Sequence, residues 1–253
     1  MVHLKTPAEI EIMAEGGWRL ARILTELKKE VRSGTITASL DIRAREFLAA
    51  SECEAAFLHY KPSGADKAFP AAICVSVNET IIHGIPSDHV LKEGDIVTLD
   101  MGLIYDGFYL DAAITVGVGK IDKRAADLLR ATREALEAGI KAAKPGKALG
   151  DIGAAIQERI ERDKFSVAQG LIGHGIGREL HEDPEVFNIG RRGEGEVLQP
   201  GMVLAIEPMA AAGKGKVKQL ADDTFVTADG SISAHFEHTV AIAKEGPRVL
   251  TTS

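Results

Sequence analysis

Cysteine is nearly absent: Cys53 and Cys74 are the only two in 253 residues, and they form no C-x-x-C pair. That excludes a cysteine-built zinc site, a dithiol redox motif and a disulfide-stapled scaffold, and two free thiols suit a reducing cytoplasm. Basic charge is also in short supply. The net charge of −7 argues against a general DNA or RNA binder, which needs a basic face to displace counterions. No run is long and apolar enough to span a membrane, and the first residues lack the apolar core of a signal peptide. Walker loops and G-x-S-x-G elbows are missing. Gly173-His-Gly-Ile-Gly177 is not the G-x-G-x-x-G of dinucleotide sites, and His181-Glu-Asp-Pro-Glu185 is not H-E-x-x-H. What remains is an ordinary globular composition, 45% hydrophobic and 26% charged, of a length that fits one large domain or two small ones. The expectation is a cytoplasmic protein.

Thr6-Pro7-Ala8-Glu9 is a helix start with a cap, a proline in the first turn and a capping box. Apolar residues at helical period carry that helix to about Val31, and a second helix covers about Ser39 to Glu52. Short strands are expected at Ala71 to Val77 and Thr80 to Ile82. Longer ones follow at Asp95 to Ile104 and Phe108 to Val118, joined by Tyr105-Asp106-Gly107, a hairpin signal. Helices then return at about Lys123 to Ala143 and Leu149 to Arg162. Strands end the chain near Met202 to Glu207, Asp223 to Thr227 and His235 to Ala243.

That order repeats. Gly94-Asp-Ile-Val-Thr-Leu-Asp100 parallels Gly201-Met-Val-Leu-Ala-Ile-Glu207, each a glycine, five mostly apolar residues and a carboxylate. Ser33-Gly34 leading to Asp41-Ile42 parallels Pro145-Gly146 leading to Asp151-Ile152. Two matches in the same order predict one α/β domain over residues 1–253, with pseudo-symmetric halves of about 1–120 and 121–253.

Asp100 and Asp111 flank the hairpin turn symmetrically. If Gly107 forms a bulge after a type I turn, the two acids face each other; if Asp106-Gly107 is a two-residue turn, they sit one diagonal apart. Either register puts them on one sheet face. At ~5 Å and an effective dielectric of about 20 they repel by roughly 3 kcal/mol, which a cation between them reverses. Taken alone, the pair also fits a solvated polar face with the acids splayed into water. Glu207 holds the repeat position of Asp100 inside an apolar run, and Glu237 enters another buried strand. Each also fits a salt bridge to a nearby lysine or arginine, but no basic residue lies in either run, which weakens that alternative. Three histidines, His83, His174 and His181, lie beside glycine or proline punctuation.

Taken together, these segments resemble the type I methionine aminopeptidases almost end to end. The matches are Cys74-Val-Ser-Val-Asn-Glu79 with His83-Gly-Ile-Pro86, Gly94-Asp-Ile-Val with Asp100, Asp106-Gly with Asp111, Gly173-His-Gly-Ile-Gly177 with His181-Glu-x-Pro184, Ile206-Glu-Pro-Met209 and Phe236-Glu-His-Thr239. The resemblance implies the pita-bread α/β (α+β) fold, a curved antiparallel sheet flanked by helices. It implies removal of the initiator methionine of nascent polypeptides through two-metal activation of a bridging water. The metal set would be Asp100, Asp111, His174, Glu207 and Glu237, with Asp111 and Glu237 bridging two divalent ions, drawn from Co, Mn, Fe(II) or Zn. Glu207 would shuttle the proton, His181 would bond the scissile carbonyl, and His83 would position the leaving nitrogen. Cys74, Phe69 and Tyr60 would line the methionine pocket.

The resemblance further implies a monomer. A ribosome contact through the basic loop of Lys214, Lys216 and Lys218 is a further expectation. Three departures from the family pattern bear on the pocket: Asp222-Asp-Thr-Phe225 where many members carry a tryptophan, Leu180 where many carry an aromatic, and a longer stretch at 62–67. Two other readings stand beside this one. A proline-type peptidase of the same fold usually carries an extra N-terminal domain, and this chain starts with the first catalytic helix. A non-catalytic binding relative would have lost ligands that are present here.

Overall fold

The computed structural model describes residues 2–61 and 67–252. Residues 62–66 of the departure at 62–67 therefore lie outside the described residues. The capping box forms as the sequence predicts: Glu9 N donates to Thr6 Oγ1 at 3.3 Å and Thr6 N donates to Glu9 Oε2 at 2.9 Å, opening α1, Pro7–Glu30. Next come α2, Thr37–Ala50, and the short strands β1, Glu54–Ala55, β2, Cys74–Val77, and β3, Thr80–Ile82. The hairpin is β4, Ile96–Tyr105, and β5, Phe108–Gly117.

The second half begins with α3, Lys123–Ala142, and α4, Leu149–Arg162. Its strands are β6, Ser166–Val167, β7, Ile172–Gly175, β8, Glu182–Phe187, β9, Val203–Ile206, and β10, Met209–Ala211. The last are β11, Val217–Gln219, β12, Phe225–Thr227, β13, Ser233–His235, β14, Glu237–Ala243, and β15, Gly246–Val249.

Several expected elements differ: the strands expected from Ala71 and Asp223 begin only at Cys74 and Phe225. Helix α2 starts two residues before Ser39, because Thr37 N and Ala38 N bond His89 O and Ser87 O and seat its first turn against that loop. The run from His235 to Ala243 is not one strand. It breaks at Phe236 into β13, which pairs with β10, and β14, which pairs with β5 and β9 in the main sheet. Strands β7 and β8, which frame His174, had no signal of alternation because glycines and a proline fill them.

Among the described residues the main sheet has nine strands, in the order β1-β4-β5-β14-β9-β7-β8, with β2 added on β4 and β15 on β14. All its pairs are antiparallel, and the two halves meet where β5 pairs with β14. The repeat is physical. Gly34 N donates to Leu91 O and Leu91 N to Thr35 O; in the second half Gly146 N donates to Leu198 O and Leu198 N to Lys147 O. Gly94 N and Gly201 N likewise bond Val118 O and Ile242 O, both at 2.9 Å.

Helices cover one side of the sheet. Met13, Leu20 and Leu27 of α1 are fully buried in the first core with Leu99, Met101 and Leu110, each contributing about 1.5–3 kcal/mol. A Cβ on Gly17 would lie 2.3 Å from Leu250 O, so the bare glycine is what lets α1 approach this closely. Leu128, Ile152 and Ile156 of α3 and α4 build the second core on Leu204, Ile206 and Val240. The other face of β4 and β5 is left to polar residues. Among the described residues no helix is long and apolar enough to cross a membrane.

Candidate metal centre

The hairpin turn decides between the two registers. Tyr105 pairs with Phe108, so Asp106 and Gly107 alone make the turn, both at positive φ (47° and 74°), as a type I′ turn needs. Asp100 then sits opposite Ala113, and Asp111 opposite Gly102: one face, one diagonal apart. On the other side of β5, Glu237 also pairs with Ala113. Small Ala113 thus lies between two acids, with a third two residues along its own strand.

Glu207 follows β9, where Pro208 stops the pairing, and Asn188 Nδ2 holds its carbonyl at 3.0 Å. Its carboxylate lies between two imidazoles: His174 Nε2 is 3.5 Å from Oε1 and His235 Nε2 is 3.5 Å from Oε2. His174 gets there because its neighbours lack side chains. A Cβ on Gly173 would lie 2.3 Å from Ala205 O and 3.2 Å from Glu207 Cγ, and one on Gly175 2.1 Å from Asp183 O.

Asp100, Asp111, Glu207 and Glu237 are all buried, and among the described residues none pairs with a lysine or arginine. Burial therefore holds every one of them toward the neutral form. Asp100 is pushed up to about 7 by burial, with the Glu207 charge adding to the effect and His235 opposing it. Burial, then the Asp100 and Glu207 charges, raise Asp111 well above the carboxylate range. Glu207 is raised by burial alone, and Glu237 by burial followed by Asp111, Glu207 and Asp100. Burial also lowers His174 to about 4.

Asp111 Oδ1 and Glu237 Oε1 are buried with no hydrogen-bond partner. Each such atom costs about 1–3 kcal/mol, more when charged. Divalent cations would remove the repulsion and satisfy both atoms, and four carboxylates balance two such ions. Ligand atoms of Asp111, His174 and Glu237 lie within 4.8 Å of one another, and so do those of Glu207, His235 and Glu237. Glu237 is common to both groups. Asp100 belongs to neither, although its charge acts on Asp111 and Glu237. A set of carboxylates with imidazole suits Mn, Fe(II), Co or Zn.

Of the remaining predicted residues, His83 and His181 are exposed at the mouth of the centre, and Cys74 is buried beside Asp100. Tyr60 Oη lies 2.8 Å from His181 Nδ1, and the His181 and His174 rings meet edge-on with centroids 4.5 Å apart. Both His181 and His83 keep solvent-exposed area, yet the protein crowding their rings removes enough water to lower both, His181 to about 3. His83 meets Phe225 edge-on at 5.5 Å, so the Phe225 departure falls at the mouth. Leu180 does not; it is buried in the first core. Cys74 pairs with Asp100, and burial raises its thiol well above the usual value. Phe69 packs edge-on against Phe57, and its N–H donates to Tyr60 O.

Four contributors escaped the sequence reading. His235 lies two residues before Glu237, and a histidine in an acid-bearing apolar strand is its only signal in the sequence. Asn188 had none. Glu182 accepts Arg178 N at 2.6 Å, Glu179 N at 3.1 Å and Lys5 Nζ at 2.5 Å, tying down the turn before His181. Thr239 Oγ1 accepts from Asp111 N and donates to Asp111 O, at 3.0 and 2.8 Å, fixing that aspartate's backbone.

Comparison with known proteins agrees with this geometry. The model of metallopeptidase family M24 matches residues 11–244. A methionine aminopeptidase of Clostridium perfringens is 46% identical over 252 residues, covering 99% of both chains. The crystal structure of a methionine aminopeptidase from Thermotoga maritima superposes with a TM-score of 0.94 at 45% identity over the whole of both chains. A prolidase from Pyrococcus furiosus, at a TM-score of 0.77 and 22% identity, covers 99% of this chain and 65% of its own and shares the fold alone. By family match and by full-length identity, the chain belongs to the metallopeptidase family M24, among its methionine aminopeptidases.

Proposed function

We propose that this metallopeptidase removes the initiator methionine from peptide chains with a free α-amine, and that residues 1–253 work as one catalytic unit. One observation carries the reading: the buried carboxylates of Asp111, Glu207 and Glu237 converge with the imidazoles of His174 and His235, with buried Asp100 acting on Asp111 and Glu237 by its charge, with no pairing to a lysine or arginine among the described residues, and with orphaned oxygens on Asp111 and Glu237. Asp100, Asp111, His174, Glu207 and Glu237 would hold two divalent ions. When bound, the ions supply a nucleophilic water at neutral pH and Lewis-acid stabilisation of the developing oxyanion.

The chain's own side chains do the rest. His174 Nδ1 lies 2.8 Å from Gly175 O, which places its proton there and leaves Nε2 free as a ligand. A Tyr60 hydroxyl donating to His181 Nδ1 leaves the His181 proton on Nε2, ready to bond the scissile carbonyl and its oxyanion. Glu207, held between His174 and His235, is placed to take a proton from the water and pass it to the leaving nitrogen. His83 positions that nitrogen. Cys74, Phe69 and Tyr60 receive the methionine side chain.

The test is release of free methionine from a Met-Ala-Ser peptide by metal-depleted protein, before and after adding Mn(II) or Co(II). Metal-dependent release from the free-amine peptide and none from its N-formyl form is expected. Release from Xaa-Pro dipeptides instead would replace the reading with a proline-type one. Lys214, Lys216 and Lys218, all exposed about β11, would meet the ribosome where such substrates emerge. Unchanged co-sedimentation after neutralising all three would remove that contact.

A further inference from the structure

His235 is 1% exposed, and neither of its ring nitrogens has a hydrogen-bond partner. Its place is dictated by the repeat. Thr239 of the second half bonds both the N–H and the C=O of Asp111. Thr115 of the first half does the same to His235, accepting from its N–H at 2.9 Å and donating to its C=O at 2.7 Å. As Glu207 is the counterpart of Asp100, His235 is the counterpart of Asp111. It faces the same centre for the same backbone reason.

A neutral ring has one proton to place between its two nitrogens. Nε2 faces Glu207 Oε2 at 3.5 Å and Glu237 Oε2 at 3.9 Å. Both are acceptors, so a lone pair on Nε2 would be repelled by two carboxylates while Nδ1 carried an orphaned buried N–H. With the proton on Nε2, the group left over is an unpaired acceptor at Nδ1, the less costly of the two. His174 is built the other way, its proton turned to Gly175 O and its lone pair inward.

We propose that His235 is a positioning residue of the metal centre, whose Nε2–H engages the Oε2 atoms of Glu207 and Glu237 and leaves their Oε1 atoms to the ions. Two observations agree with that division: Glu207 Oε1 is the oxygen near His174 Nε2, and Glu237 Oε1 is the orphan. The inference rests on the metal-centre reading above.

The experiment titrates Mn(II) alone into metal-depleted wild type, His235→Leu and His235→Gln by calorimetry. It also counts imidazole nitrogens on one equivalent of Mn(II) by electron spin-echo modulation. Circular dichroism melts of the metal-free proteins check folding. His235→Leu is expected to bind Mn(II) about 10–100-fold more weakly. His235→Gln, which keeps an N–H at similar reach, should recover most of the affinity. Wild type and His235→Gln should both show one imidazole on the ion. Two imidazoles in wild type would make His235 a ligand and overturn the proposal, as would equal affinities for wild type and a folded His235→Leu. If the leucine variant does not fold, weak binding by folded His235→Gln or the second imidazole still overturns it. No Mn(II) binding by wild type would sink the metal-centre reading itself, and the inference with it.

Discussion

The two halves of the molecule build the same scaffold and furnish it differently. The first half places Asp100 and Asp111 on a regular hairpin of two ten-residue strands closed by a self-sufficient Asp-Gly turn. In the second half the counterparts Glu207 and His235 sit at strand ends, Glu237 opens a strand after a break, and His174 lies in a pairing whose register shifts between Gly173 and Gly175. Regularity fixes two acids cheaply. Irregularity aims longer side chains from several directions, and it needs outside support from Asn188, Glu182 and Lys5.

The comparison breaks most decisively at Asp111, the first-half residue that reaches both halves. Asp111→Asn is expected to abolish methionine release and the retention of metal through desalting together; near-normal activity would end the site assignment. A milder probe leaves the sequence intact and changes pH in the metal-free protein. The buried acids keep protons in the folded state that the unfolded chain loses near pH 4, so stability falls as pH rises from about 4 through the raised folded values, about 7 for Asp100. Added Mn(II) should therefore raise the melting temperature more at pH 8 than at pH 5, by upward of about 5 °C. A metal effect independent of pH would mean the acids are ionised without the ions.

Smaller changes compare the two turns. Glu182→Gln strips the second-half turn of its anchor and leaves Lys5 buried without its charge partner, side chains that are 4% and 5% exposed. Urea denaturation should show a loss of about 3 kcal/mol. Gly107→Ala at the first-half turn should cost about 1 kcal/mol by the same measurement, since φ is +74° there. Losses in the reverse order would mean that the Asp-Gly turn, not the Lys5 anchor, is the more heavily relied upon.

Legibility in the sequence followed the same divide. Asp100 and Asp111 could be placed on one face from alternation and turn chemistry, because the strand period is local. Glu207 and Glu237 could be flagged as buried acids without basic neighbours, but neither their meeting point nor His235 followed. The break at Phe236 sends two adjacent segments to different sheets, and no local pattern announces it. The departure at Phe225 proved to touch His83, whereas that at Leu180 belongs to the core; residue type alone did not distinguish mouth from interior.

By itself the sequence determined the helices, the hairpin and the duplicated Gly-to-carboxylate segments, because capping, periodicity and turn chemistry act within a few residues, while the ligand set followed only from the family resemblance. Only the tertiary structure decided which oxygens and nitrogens face one another. Some of those contacts join residues more than a hundred positions apart, as when Thr239 holds Asp111 and Thr115 holds His235, and it is the closing of the sheet between β5 and β14 that brings these within bonding distance.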